Sequence, residues 1–387
     1  MAVVSGARQV GKSTFLQNEF SDFKYLSFDD FSILQQARSD PSSLWMGTER
    51  VILDEAQKVP EVFSAVKLSV DRNRRRMRFL ISGSSNLLLM KRISETLAGR
   101  AVYFDMLPMS YGEIYGKREG PQNFFALLDP DGEVKEQEVN EVAPLSLLSK
   151  GFMPPLMNLT DRRDILLWWE GYVRTYLERD VRELSQIESL IDFRRVLGSV
   201  AIRTGNILNQ TEISRDTGVS QPTVHRYIRL LEVSSIIQRI PAYYPSRTKR
   251  VTKSPKAFFV DPALSVYLSG YHDEVSLDKA RELGNFFETS IFLQLKILSE
   301  LMVPKASIFY WRTTTGKEVD FIVKQGKRLV AFEVKFSKKP TFNDIQNLLT
   351  FMEENPKTIR GILIHAGKSI KWLHSNVLAV PWWWIAS

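Results

Sequence analysis

The sequence predicts an α/β protein: a parallel sheet, a helical module and a second α/β unit. Two observations predict it. Through the first 120 residues, short β-branched or apolar runs alternate with helix-like stretches, the pattern of a parallel sheet with crossover helices. The charge is also uneven. The 387 residues hold 52 Lys and Arg against 44 Asp and Glu, a net charge of +8, yet residues 203–256 alone hold ten basic and three acidic residues. Residues 121–202 lean the other way, with nine basic and fourteen acidic residues. Blocks so unequal predict modules with different work. The length predicts two or three domains at about 150 residues each, and 44% hydrophobic with 25% charged residues is the composition of a folded chain.

In order, Ala2–Ser5, Tyr25–Phe28, Val51–Leu53, Phe79–Ser82 and Ala101–Phe104 are the expected strands of the first sheet. Thr14–Phe20 and Val62–Asp71 are helices between them. Pro121–Asn140, polar and rich in turn residues, is expected to be a linker or insertion. From Leu166 to Ile202 the pattern is helical. Thr211–Val260 reads as helices followed by a hairpin. The last block opens with a helix at Asn285–Leu301 and continues with strands at Ile308–Arg312, Glu318–Lys324, Leu329–Val334 and Gly361–His365. Domain boundaries follow at 1–120, 121–202, 203–270 and 271–387.

Directly after the first strand, Gly6-Ala7-Arg8-Gln9-Val10-Gly11-Lys12-Ser13 fills every fixed position of the phosphate-loop pattern. A helix follows from Thr14, the context the motif needs. Glycines let the backbone wrap so that N–H groups face phosphates, backed by the helix N-terminus. Lys12 would reach the β- and γ-phosphates of ATP, and Ser13 would ligate Mg²⁺. Val51-Ile52-Leu53 ends in Asp54 and Glu55. Asp54 would serve the Mg²⁺ shell and Glu55 would polarise the attacking water. A strand ending in two carboxylates says little alone; downstream of a complete phosphate loop it says more. Ser84 or Asn86, after the strand Phe79–Ser82, would sense the γ-phosphate or orient water, unless they only make a Gly-Ser turn. Arg100 is a candidate arginine finger at a subunit or domain contact, against the commoner fate of a solvated surface Arg.

In the basic block, Gln210–Ser214 opens a short helix, Gly218 turns the chain, and Ser220 caps a second helix through Leu231. Ile213, Val219, Val224, Ile228 and Leu231 share one face, leaving Gln221, Thr223, His225, Arg226 and Arg229 to point outward. This is a helix-turn-helix pattern. A hairpin pairing Ile236–Pro241 with Ala257–Val260 follows, with Arg247, Lys249, Arg250, Lys253 and Lys256 expected on its loop. A basic wing beside such a helix suits DNA phosphates, although a winged helix used only for protein packing shares the pattern.

In the last block, alternation on a strand places Glu333 and Lys335 on one face. With Asp320 on the neighbouring strand they would present carboxylates to one Mg²⁺, with Lys335 beside the water or phosphate and Glu288 completing the metal site. The alternative is a domain that keeps these residues as structural ion pairs.

The loop, Leu53-Asp54-Glu55-Ala56-Gln57, Ser82-Gly83-Ser84-Ser85, Leu97-Ala98-Gly99-Arg100 and the stretch Tyr172–Val181 resemble the AAA superfamily of ATPases. Most similar is a prokaryotic group with an ATPase module, a winged helix and a restriction-endonuclease-like C-terminal domain. The helix with Glu288, the strand with Asp320 and Glu333-Val334-Lys335 look like that endonuclease core. The resemblance implies a P-loop NTPase parallel sheet, a winged-helix module and a restriction-endonuclease-like α/β domain. With the phosphate loop it implies ATP with Mg²⁺; the basic block points to a DNA partner, and Arg100 to a contact in a homo-oligomer or between domains. Members usually carry residues ahead of the first strand that help hold the base; here Ala2 opens that strand.

The exclusions are short. With no Cys, disulfides, thiolate zinc sites and cysteine nucleophiles fall away. No apolar run reaches the ~20 residues of a membrane span, and Met1–Ser5 lacks the features of a signal peptide, so the cytosol is the expected location. The competing functional class is a nucleotide-gated DNA- or protein-binding switch whose C-terminal domain is catalytically silent.

Overall fold

A computed structural model of the protein describes residues 1–386 apart from 73–75, 84–96, 117–121, 130–131, 133–142, 181–186, 188 and 245–252. Ser84, Asn86, Arg247, Lys249 and Arg250 lie outside the described residues. The chain divides into two compact units. The first comprises Met1–Leu107, Thr175–Gln186 and Arg229–Ile236; the second comprises Pro108–Arg174, Ile187–Ile228 and Ile237–Ser387.

The first unit is built on a five-stranded sheet of β1 (Ala2–Ser5), β2 (Lys24–Ser27), β3 (Arg50–Asp54), β4 (Arg78–Ser82) and β5 (Val102–Asp105). The order is β2-β3-β4-β1-β5 and every pairing is parallel. The central strands have apolar side chains on both faces because helices cover both. Val51, Ile52, Leu53, Phe79 and Ile81 are fully buried. The helix α1 (Lys12–Glu19) buries Leu16 against Val4 and Ile52, while α3 (Val62–Arg72) buries Val62, Phe63, Val66 and Val70 in the larger core. Between them in the chain, α2 (Phe31–Ser39) starts at Asp30, whose carboxylate accepts from the N–H groups of Ser32 and Ile33. The later stretches of the unit are tied in by side chains. The Tyr176 hydroxyl donates to Ser234 O at 2.7 Å, and the Arg8 guanidinium lies 5.8 Å from the Tyr176 ring centre.

The second unit contains a three-stranded sheet, order β6-β8-β7, from β6 (Asn206–Ile207), β7 (Ile237–Ile240) and β8 (Lys256–Phe259). Helix Leu190–Ile202 precedes β6, and helices Gln210–Thr217 and Gln221–Val233 lie between β6 and β7. The order is thus helix, strand, two helices, hairpin. A six-stranded mixed sheet follows, formed by β9 (Ser307–Arg312), β10 (Glu318–Gln325), β11 (Arg328–Lys335), β12 (Thr358–His365), β13 (Lys371–His374) and β14 (Val377–Pro381), in the order β13-β14-β12-β11-β10-β9. The β9-β10-β11 and β13-β14 pairings are antiparallel, and β11-β12-β14 is parallel. One face packs Ile345, Leu348 and Phe351 against Val319, Ile322, Ala331 and Leu363. The long helix Leu283–Glu300 also packs on this sheet and stacks Phe292 with Phe258 of β8 and Phe321 of β10.

Three local expectations change. Gln122–Leu127 is a helix within the expected linker, because Phe124 and Leu127 are fully buried. The helical stretch after Leu166 is interrupted: Arg162–Tyr172 passes into a π-helix at Val173–Asp180, and a separate helix starts at Leu190. Lys256 is part of strand β8 and is buried, where a solvated wing residue was expected.

Candidate functional site

The phosphate loop leaves β1 at Gly6, whose φ is 149°. A Cβ there would stand 2.3 Å from Met106 O, because Met106 N–H donates to Ser5 O at 2.7 Å and draws the backbone after β5 against the loop. Only glycine fits that approach. Gln9 (φ 67°) and Gly11 (φ 93°) are also left-handed, and this is how the chain wraps back on itself. Gly11 offers no side chain to cap α1, and the first turn of α1 holds no acidic residue. Its N–H groups therefore remain available to an anion, which the helix dipole favours. Lys12 Nζ donates to Gly6 O at 3.1 Å and Ala7 O at 2.8 Å. Burial pushes Lys12 down to about 8, against the pull of Glu55 and Asp54 and with the push of Arg8.

Asp54 closes β3 with its carboxylate buried. One oxygen accepts from the Tyr25 hydroxyl at 2.5 Å and the other from the Ser82 hydroxyl. Burial and Asp54 raise Tyr25 to about 12, so it stays a donor. Glu55 holds φ 55° and accepts from Gln57 Nε2. A non-glycine residue there is strained, as residues at working sites often are. Arg100 is half-buried and grips Asp71 with two bonds, Nε–Oδ1 at 2.8 Å and a second arm to Oδ2 at 3.0 Å. The oxygens of Ser13 and Asp54 are the hard donors that suit Mg²⁺. Tyr25 and Ser82 were not singled out from the sequence. Parallel pairing of β2 and β4 on either side of β3 brings both near Asp54: Ser82 ends β4, and Tyr25 stands on β2 opposite Ile52, two residues before Asp54.

On helix Gln221–Val233, Val224, Tyr227, Ile228 and Leu231 are buried, and Gln221, His225, Arg226 and Arg229 are exposed; Thr223 is half-buried. Gly218 ends the preceding helix at φ 72°, and the Ser220 hydroxyl donates to Thr223 Oγ1 at 2.9 Å. The outward face is as expected from periodicity.

The C-terminal carboxylates come together around a lysine. Lys256 Nζ lies 2.9 Å from Glu288 Oε1, 2.6 Å from Glu318 Oε1 and 3.8 Å from Asp320 Oδ1. Burial pushes Lys256 down, but Glu288, Asp320 and Glu318 together push it further up, so it is held protonated. Asp320 also accepts from Val334 N–H at 2.8 Å, and Lys335 Nζ lies 2.7 Å from Glu333 Oε1. Burial raises Glu288 to about 8 against the opposing Lys256, and it raises Asp320 as well. Glu333 is held well above the usual carboxylate range, first by burial and then by Asp320. The four residues expected from sequence thus share one cluster. Among the described residues, however, no group of three carboxylate or imidazole side chains is arranged to hold a metal. Glu318 and Lys256 were missed. Glu318 stands two residues before Asp320 on the same strand, a signal alternation could have supplied; Lys256 arrives from another sheet.

Comparison with known proteins bears on the first unit. Residues 1–115 match a family described as AAA domain, residues 145–275 a domain of unknown function (DUF8612) and residues 283–385 a domain of unknown function (DUF4143). The phosphate loop and the AAA match support a P-loop ATPase of the AAA type. An uncharacterized protein of Mycobacterium tuberculosis is 26% identical over 384 residues, covering 98% of this chain and 80% of the relative. An uncharacterized protein of Haemophilus influenzae is 21% identical over 387 residues, covering 92% and 87%. A solved half-complex of Thermococcus gammatolerans McrB AAA+ hexamers with bound McrC covers 73% of this chain and 75% of that one, at 11% identity and a TM-score of 0.23, too low to carry an argument. No described helix is long and apolar enough to cross a membrane.

Proposed function

We propose that the protein binds and hydrolyses ATP with Mg²⁺ and engages DNA through a winged helix at residues 203–270. The observation that carries the ATP reading is the loop from Gly6 to Ser13 facing Asp54. Lys12 rests on the loop's own carbonyls at 2.8 and 3.1 Å, where phosphate oxygens would compete for it. Gly6, Ala7, Arg8, Gln9, Val10, Gly11 and Thr14 would line the phosphates. Ser13 and Asp54 would hold Mg²⁺, which when bound draws charge off the phosphates. Glu55 would take the proton of the attacking water as the bond from the γ-phosphorus to the ADP oxygen breaks. Arg100 would serve a neighbouring copy's nucleotide in a homo-oligomer, exchanging Asp71 for phosphate.

Lys12→Ala tests the reading directly: Mg²⁺-dependent phosphate release should be lost, and turnover equal to the parent's would sink it. For DNA, the exposed Gln221, His225, Arg226 and Arg229 support the reading, with the half-buried Thr223 on the same helix. Arg247, Lys249 and Arg250 add to the local surplus of positive charge. The restriction-endonuclease-like reading of the last domain rests on helix-borne Glu288, Asp320 on β10 and Glu333 with Lys335 on β11. Catalytically, Asp320 and Glu333 would hold the metal and Lys335 would face the phosphate. The buried ammonium of Lys256 in that cluster favours a second reading, in which ATP gates DNA or protein binding and the domain is silent.

A further inference from the structure

We infer that Lys256 is the resident cation of the C-terminal carboxylate cluster and keeps divalent metal out of it. Its ammonium stands 2.6 to 2.9 Å from Glu318 and Glu288 and within 3.8 Å of Asp320, so it fills the point on which those oxygens converge. A divalent ion needs the same oxygens at about 2.0–2.6 Å, and the two cations cannot share them. The lysine is built in. Strand β8 is the middle strand of its sheet, with Lys256 opposite Ile207 on one side and Ile240 on the other. The Lys256 side chain is 3% exposed, and the Tyr310 ring centre lies 5.9 Å from the ammonium. Withdrawing it would leave buried carboxylates without their counter-charge.

A second observation concerns Glu333 of the same cluster. It is buried, and one oxygen is paired with Lys335 while its Oε2 has no hydrogen-bond partner among the described residues. Asp320 and Glu288 act on it electrostatically, so this open acceptor belongs to the cluster whose charge Lys256 balances. The inference concerns this cluster alone and stands whether or not the phosphate loop hydrolyses ATP.

Manganese binding to the full chain tests it, followed by loss of the free-ion electron paramagnetic resonance signal. The protein is kept nucleotide-free, and all samples carry Asp54→Asn so that the phosphate-loop site is silent. The parent is expected to leave Mn²⁺ free, Lys256→Met to bind it, and Lys256→Met with Asp320→Asn to lose it again. A folded Lys256→Met that leaves Mn²⁺ free overturns the inference. If Lys256→Met does not fold, the parent decides alone against Asp320→Asn. Mn²⁺ held by the parent and lost with Asp320→Asn overturns the inference, and a parent that leaves Mn²⁺ free supports it.

Discussion

Asp54 takes hydrogen bonds from two hydroxyls, Tyr25 and Ser82, which belong to the strands on either side of its own. These bonds fix the orientation of the carboxylate. A hydrogen bond to a charged group contributes on the order of 1.5–3 kcal/mol. Tyr25→Phe should therefore lower Mg²⁺-dependent ATP turnover by roughly 10-fold, since about 1.4 kcal/mol is a factor of ten. A magnesium titration checks it, and unchanged turnover and magnesium dependence would remove Tyr25 from the site. Gly6 acts through its backbone. Gly6→Ala forces a Cβ toward Met106 O and should cost about 2 kcal/mol or more in denaturant unfolding. Gly47→Ala, at φ 78° with no atom of the described residues within 4 Å, should cost about 1 kcal/mol. Equal costs would mean that the close approach at Gly6 is not felt.

Elements were legible wherever one period dominated. The first five strands fall within a residue or two of their expected bounds. For the central β3 and β4 the reason is that parallel strands buried on both faces are continuous apolar runs. The phosphate loop and the outward face of helix Gln221–Val233 were legible for similar local reasons. Long-range pairing was not. Nothing near Lys256 in sequence announces three carboxylates that lie more than thirty residues later, and Trp382 and Trp384 are buried after β14 rather than inside a strand. Asp261 is another such case. It caps helix Pro262–Leu268 through Ala263 N–H at 2.9 Å and also accepts from Phe152 N–H at 2.8 Å. Burial pushes it up to about 7 against those bonds. The folded protein thus keeps a proton that the unfolded chain releases near pH 4. Stability from this group is complete below that point and falls as pH rises toward 7. Asp261→Asn should flatten the denaturation midpoint across that window; a slope identical to the parent's would assign the effect elsewhere.

At the scale of the molecule, the basic surplus sits in residues 203–256, but part of it is spent internally. Lys256 is buried in the acidic cluster, and Arg203 pairs with Asp216. What faces solvent on the helix Gln221–Val233 is a short row ending in Arg226 and Arg229. If that row meets phosphates, replacing both arginines by Glu should weaken DNA binding uniformly across sequences. It should also flatten the salt dependence by about one unit of slope per lost contact. Binding that keeps its affinity and its slope would place the nucleic-acid surface elsewhere or argue for a protein partner.

The first unit is assembled from three separated stretches, and the last of them ends at Ile236. That arrangement sets a clock on synthesis. When the ribosome has joined Leu107, it must still add 129 residues before that last stretch exists. At roughly 5–20 residues per second this takes on the order of ten seconds. Through that interval the sheet and its phosphate loop wait for Tyr176 and for the Ser234 carbonyl that receives its hydroxyl. Nascent chains stalled soon after residue 107 emerges should be cut readily within the sheet by protease. Those stalled after Ile236 has cleared the exit tunnel should resist.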